Sequence, residues 1–318
     1  MTAYIVARLL QLLGLLIIVS LLTFVLMRVL LGDPVLMILG PDASVDQAAV
    51  ERLRHELLLD QPLPIQYLDW LRHAAVGDFG RSLRTPISVQ AAVVSRLPVT
   101  LELSIAALAV ALLFAVPIGI QAALRPGSRL DVGLSALSVT TLSLPNFLLG
   151  ILLIFIFAIR LRWLPSAGYV PFADGPEQHV RSMILPVLTL AAAYTGSFAR
   201  FSRSLMMDVL AQDYVRTARA KGLPGLLVMR RHAVRNALIP LITVVGVELA
   251  GLFGGAVVTE TVFSLPGVGL LLTDSILGKD LPTVQAIVLF LTVAVVLTSF
   301  VVDLVYGFLD PRVRVAHG

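Results

Sequence analysis

Apolar residues in this chain gather into six runs, at 9–31, 99–124, 132–159, 183–199, 238–262 and 283–309. Charge, Pro and Gly collect between them. A helix crosses the hydrocarbon of a bilayer in about 20 residues, so each run is read as a transmembrane helix, the fourth being short. Within the first run only Gln11 and Arg28 are strongly polar. It shows neither the short apolar core nor the small-residue cleavage site of a signal peptide, and is read as an uncleaved anchor. Pro117 is expected to kink the second span, and the Ser-Leu-Pro-Asn step at 143–146 to interrupt the third. The pattern predicts an all-α polytopic membrane protein with six transmembrane helices. Its parts are a first helix at 1–31, a polar excursion at 32–98, a core of five spans at 99–310 and a tail at 311–318.

The excursion carries its own signals. Val50, Leu53 and Leu57 keep helical spacing, so a helix is expected around 46–59, stopped by Asp60, Pro62 and Pro64. Between the last two spans, Pro266, Gly267 and Gly269 form a short loop at the outer mouth beside Glu260. Gly-rich turns there suit part of a gate, and a plain tight turn equally well. The small-residue run at 251–256 permits close helix packing, within the chain or between subunits.

Charge orients the spans. Loops assigned to the inside hold thirteen Arg and Lys, against four in the short outside loops. Cations near membrane ends stay in the cytoplasm, so both termini and the stretch 200–237 are placed there. The chain is 58% hydrophobic and 14% charged, with a net charge of +4; a soluble domain averages about 25% charged. No basic domain stands apart from the apolar spans, so nucleic acid is not an expected partner. With no cysteine, disulfides, thiolate metal sites and Cys nucleophiles are excluded. Phosphate-loop, zinc-protease and Ser-nucleophile motifs are absent. The within-span carboxylates Glu248, Glu260 and Asp303 form no catalytic set, and no catalytic or metal-binding residue is assigned.

Glu248 lies ten residues into the fifth span, about 15 Å along it at 1.5 Å per residue. An ionisable group at that depth marks a pathway, or is hydrogen-bonded packing. Both readings stay open.

The most distinctive stretch is 211–240, A-Q-D-Y-V-R-T-A-R-A-K-G-L-P-G-L-L-V-M-R-R-H-A-V-R-N-A-L-I-P. Asp213 suits the cap of a short helix from Tyr214 to Lys221, which Gly222 and Pro224 would end. Arg216 and Arg219, three apart, share one face, with Val215 and Ala218 on the next. D-Y-V-R-T-A-R-A-K-G-L followed by R-R-H-A-V-R-N-A-L-I-P resembles the cytoplasmic coupling loop of ABC importer permeases, in the dipeptide, oligopeptide and nickel subgroup. The general importer pattern opens E-A-A with Gly four residues after the second Ala. Here Ala218 and Gly222 keep that spacing, while Arg216 and Thr217 replace Glu and Ala, as in the peptide subgroup.

The resemblance covers nearly the whole chain. It implies a type I ABC importer permease fold in the bacterial cytoplasmic (inner) membrane, and an extracytoplasmic segment at 32–98 beneath a solute-binding protein. It further implies a sister permease and two nucleotide-binding ATPase subunits. ATP and Mg would be bound by those partners, and no cofactor by this chain. Asp213, Tyr214, Val215, Arg216, Thr217, Ala218, Arg219, Lys221 and Gly222 would contact the ATPase. Di- or oligopeptides are the expected solute; nickel chelates, glutathione, opines and sugars are carried by similar permeases. An ion-gradient secondary transporter is the rival reading, but such folds usually show two hydropathy halves with matching broken helices, and none is evident.

Overall fold

The computed structural model describes residues 2–31, 51–52, 54–55 and 58–309. Its elements are α1 (Thr2–Leu31), α2 (Leu63–Ala75), α3 (Val89–Leu124), α4 (Arg129–Ser143) and α5 (Asn146–Leu153), which continues as a π-helix over Ile154–Arg160. Then come α6 (Pro176–Leu210), α7 (Asp213–Ala220) and α8 (Gly225–Val228), which leads through a π-helical turn at Met229–Val234 into α9 (Arg235–Phe263). Last are α10 (Val268–Leu277) and α11 (Leu281–Leu309). Among the described residues the one β feature is an isolated bridge between Arg81 and Ser88. The chain divides into two compact units, Met1–Leu97 with Leu271–Val296, and Pro98–Leu270 with Leu297–Gly318.

Four helices are long and apolar enough to cross a membrane, or up to six if each of two bent pairs is one span. The bent pairs are where hydropathy and geometry part. The run at 132–159 turns by 103° between α4 and α5, because Leu144, ahead of Pro145, is extended. In α9 the two halves meet at 49°, one residue before Gly251. Pro117, expected to kink the second span, lies inside an unbroken α3 together with Pro98.

Two helices outrun their hydropathy. α3 starts ten residues before 99, because Val89 and Val93, one turn apart, are both buried. α6 has 35 residues where the apolar run has 17, so the expected loops at 160–182 and 200–237 each give residues to it. It continues past Arg200 and Arg203 because Arg203 is paired bidentately with the Asp131 carboxylate of α4, the Nη2–Oδ2 arm being 2.9 Å. A paired charge no longer ends an otherwise buried helix.

The core of the second unit is built on a stripe of α3, Leu103, Ala107, Ala111 and Ala115, each fully buried at i, i+4 spacing. Small side chains there let Leu190 and Phe198 of α6 and Leu252, Ala256 and Phe263 of α9 join the same cluster. Gly251 and Gly255 face Tyr194 and Leu190 of α6, so the small-residue run packs within the chain at those positions. In the first unit, Asp280 is 3% exposed and heads α11. It accepts from Thr283 Oγ1 (2.7 Å), Ser82 Oγ (2.5 Å) and the Leu83 amide (3.1 Å), which fixes the segment before α3. Of the helix expected around 46–59, Glu51, Arg52, Arg54 and His55 are helical; much of the rest lies outside the described residues.

Candidate functional site

α7 is a two-turn helix made by its own sequence. The Gln212 carbonyl accepts from the amides of Val215 (3.1 Å) and Arg216 (3.3 Å). Asp213 is therefore the first helical residue, not the expected cap, and its carboxylate lies 3.5 Å from the Arg216 guanidinium. At the other end Gly222 has φ +78°, and the Leu223 amide reaches back to the Ala218 carbonyl at 3.4 Å. That is the left-handed glycine stop the sequence predicts.

The two faces of α7 differ as the spacing requires. Val215 and Ala218 are buried against Val228 of α8, with Leu210 of α6 beside them. Arg216, Thr217, Lys221 and Gly222 are exposed, the Asp213 and Arg216 side chains at 92% and 72%. The side chains of Arg219 and Asp303 lie outside the described residues. Spacing alone did not predict the tie to α9, where Asn236 Nδ2 donates to Tyr214 Oη at 3.0 Å. α7 is thus wedged between the end of α6 and the start of α9.

At the far end of α9 the chemistry is reversed. Glu260 has no exposed surface. Its Oε1 accepts from Thr100 Oγ1 of α3 at 2.7 Å, and its Oε2 from the amides of Gly269 (2.7 Å) and Leu270 (3.1 Å). Thr100 Oγ1 in turn accepts from the Val268 amide at 2.9 Å. A carboxylate on α9 therefore satisfies the orphan amides that open α10. The stretch read as a short loop is a turn at Ser264–Gly267 followed by this helix. Its glycines are steric necessities: a Cβ at Gly267 would overlap the Glu260 carboxylate, and one at Gly269 would overlap the Val257 backbone. Pro266 sits in the turn.

Between these ends, Glu248 is half-buried and accepts from Ser197 Oγ of α6 at 3.3 Å. It stands two residues before the bend in α9.

Residues 115–315 match the family model described as "Binding-protein-dependent transport system inner membrane component", and residues 1–104 match "Binding-prot-dependent transport system membrane comp, N-term". The chain belongs to this family. A Brucella abortus protein named as a peptide transport system permease is 44% identical over 314 residues, 99% of each chain. The glutathione transport system permease protein of Salmonella typhi is 43% identical over 317 residues, again 99% of each. A solved chain of the inward facing MetNI methionine ABC transporter shares the fold, with TM-score 0.57 at 17% identity over 68% of this chain and 95% of that one. The protein is thus a multi-pass membrane permease component of a binding-protein-dependent transport system.

The permease also holds a buried polar group that no motif announced. His179 of α6 is 6% exposed. Its Nδ1 donates to the Val170 carbonyl (2.8 Å), and its Nε2 lies 2.5 Å from Glu102 Oε1 of α3. Tyr169 Oη donates to the other Glu102 oxygen at 3.0 Å, and burial, then that carboxylate, pushes the phenol above its ordinary pKa. A scattered His and a Glu 77 residues away carry no local signal; only the helix crossing joins them.

Proposed function

We propose that this permease is a transmembrane subunit of an ATP-driven importer of di- or oligopeptides, and that α7 is the element on which the ATPase acts. The observation that carries the reading is the construction of α7. It is short and stopped at both ends, seated by Val215 and Ala218, and its Arg216, Thr217 and Lys221 remain in solvent. Such a helix moves as one body when a partner's cleft closes on its charged face. Leu210 and Asn236 would carry the motion into α6 and α9. The relatives named for peptide and glutathione transport, at 44% and 43% identity, support the solute class, since glutathione is itself a small peptide.

The full assembly in this reading has two permease chains, two ATPase subunits that bind ATP and Mg, and an extracytoplasmic binding protein. Each permease has six spans in a type I arrangement with both termini in the cytoplasm. This chain performs no chemistry. Asp213, Tyr214, Arg216, Thr217, Arg219 and Lys221 form the ATPase-facing surface, with Gly222 as its stop. Glu248 lines the solute path, while Glu260, Pro266, Gly267 and Gly269 brace its outer gate.

The test is ATP-dependent uptake of a labelled dipeptide by proteoliposomes carrying the complete transporter and its binding protein, with no ion gradient. Gly222→Val forces a β-branched residue into the left-handed region, at a cost of about 1–2 kcal/mol. It should abolish uptake while membrane insertion stays normal. Wild-type uptake by that variant would refute the assignment of α7.

A further inference from the structure

α2 runs from Leu63 to Ala75 in the stretch that hydropathy placed outside the membrane. Its contacts put it elsewhere. Tyr67 Oη lies 2.8 Å from Ser20 Oγ of α1 and donates to the Ile17 carbonyl at 3.4 Å. Phe24 of α1 stacks edge-on with Tyr67, ring centres 5.5 Å apart, and lies 6.0 Å from Trp70. Ser20 and Phe24 fall inside the apolar span Leu9–Leu26, where Ile17, Ile18, Leu21 and Leu22 all face outward. In a membrane protein that surface meets acyl chains, so a helix packed on it is at the same depth.

The faces of α2 agree with that depth. Gln66 and Ala74 are buried, Gln66 Nε2 donating to the Gln61 carbonyl at 2.7 Å. On the opposite side Ile65 and Leu68 are 47% and 53% exposed, and Val76, just past the helix end, 79%. Exposed in water, such a stripe has no favourable contact; continued from the apolar surface of α1, it has one. Asp69 and His73 pair along an adjacent flank at 3.6 Å. Arg72, on the outward side near the end, is long enough to snorkel to phosphates. Tyr67 and Trp70 are the aromatic types that gather at the membrane interface.

We propose that α2 is an interfacial helix, inserted into the lipid of the outer leaflet through Ile65, Leu68 and Val76, and not a surface that the binding protein covers. The occupant is the acyl region beneath the headgroups, chosen because the patch continues the lipid-facing side of α1 beside Phe24, two residues from the end of the apolar span Leu9–Leu26. The proposal rests on α1 being a span, not on the solute, so peptide uptake and lipid contact can fail separately.

The chain has no cysteine, so once the other subunits are made cysteine-free, single nitroxide labels report without background. Ile65→Cys, Leu68→Cys and the control Asp60→Cys are labelled in the complete transporter in lipid nanodiscs. The ratio of collisions with oxygen to collisions with a water-soluble nickel chelate is then read at each site. For Ile65 and Leu68 the ratio should exceed that at Asp60 by about fivefold or more. A ratio equal to that of Asp60 would place α2 in water and overturn the proposal. Suppression of both collision types would overturn it too, assigning the face to a protein partner. If the labelled variants do not assemble, brominated lipids read the same contact as the difference in quenching between Trp163→Phe and the double variant Trp163→Phe with Trp70→Phe, which isolates Trp70. Quenching of the Trp70 emission supports the proposal, and unchanged emission overturns it.

Discussion

α9 ends in two different joints, and the contrast lies in what each would cost to open. At its start, α7 is held by a few apolar contacts around Val215 and by the Tyr214–Asn236 hydrogen bond. At its finish, Glu260 is fully buried and bonded to α3 and to the opening amides of α10. Releasing the first joint exposes two small side chains. Releasing the second strands a buried carboxylate, a hydroxyl and backbone amides at once. A joint with a low opening cost can follow a partner, whereas one whose opening leaves unpaired polar groups moves only as a block.

The largest effect should come from breaking the rigid joint. Glu260→Ala removes the acceptor for Thr100 and for the α10 amides, at a cost of about 3 kcal/mol or more. The complex should lose several degrees of thermal midpoint, and less of it should reach the membrane. A wild-type midpoint would show that the two joints do not differ as described.

The soft joint should fail differently. Val215→Asp places a charge where no surface is exposed, which costs about 2 kcal/mol or more. α7 should lift from Val228 while the Glu260 joint holds. Trypsin should then cleave at 216–221 about tenfold faster with an unchanged thermal midpoint; a fall in midpoint as large as that of Glu260→Ala would erase the contrast.

Next in size is the exposed face. Reversing Arg216 and Arg219 to Glu should uncouple ATP hydrolysis from uptake, whereas Lys at both should keep most of the coupling. Binding-protein-stimulated ATPase separates the two variants, and equal activity in both would count against a partner contact on this face.

The smallest change concerns the middle of α9. Glu248→Gln keeps an acceptor for Ser197 and removes the charge. If Glu248 lines the path, uptake of a cationic peptide should fall about fivefold relative to an anionic one, equivalent to ~1 kcal/mol. An unchanged ratio with normal rates would make it a packing residue.

The α7 site was largely legible in the sequence because its signals are local. Gly222 lies four residues after Ala218, and Val215 and Ala218 share a face by helical spacing alone. The Glu260 joint was half legible: the carboxylate and the glycines were singled out, but as a loop. Capping rules look at residues next to a helix, and here the cap comes from another helix eight or more residues upstream, with Thr100 a further 160 away. Arg203 misled the reading of α6 for the same reason, since its partner Asp131 is 72 residues distant. Asp60, Pro62 and Pro64 read only as a helix stop where α2 in fact begins, and nothing in its composition indicates the depth at which Tyr67 meets Ser20.

By itself the sequence determined that this is a membrane permease, how many apolar runs it has, and where the short helix α7 stops. Hydropathy and backbone preference act over a few residues, so they can be read along the chain. Tertiary structure alone decided which runs are bent, which charges are paired and which carboxylate closes the turn before α10. Those outcomes depend on whether a distant donor arrives within about 3 Å of a buried acceptor, and that distance is set by helix crossings, not by neighbours in sequence.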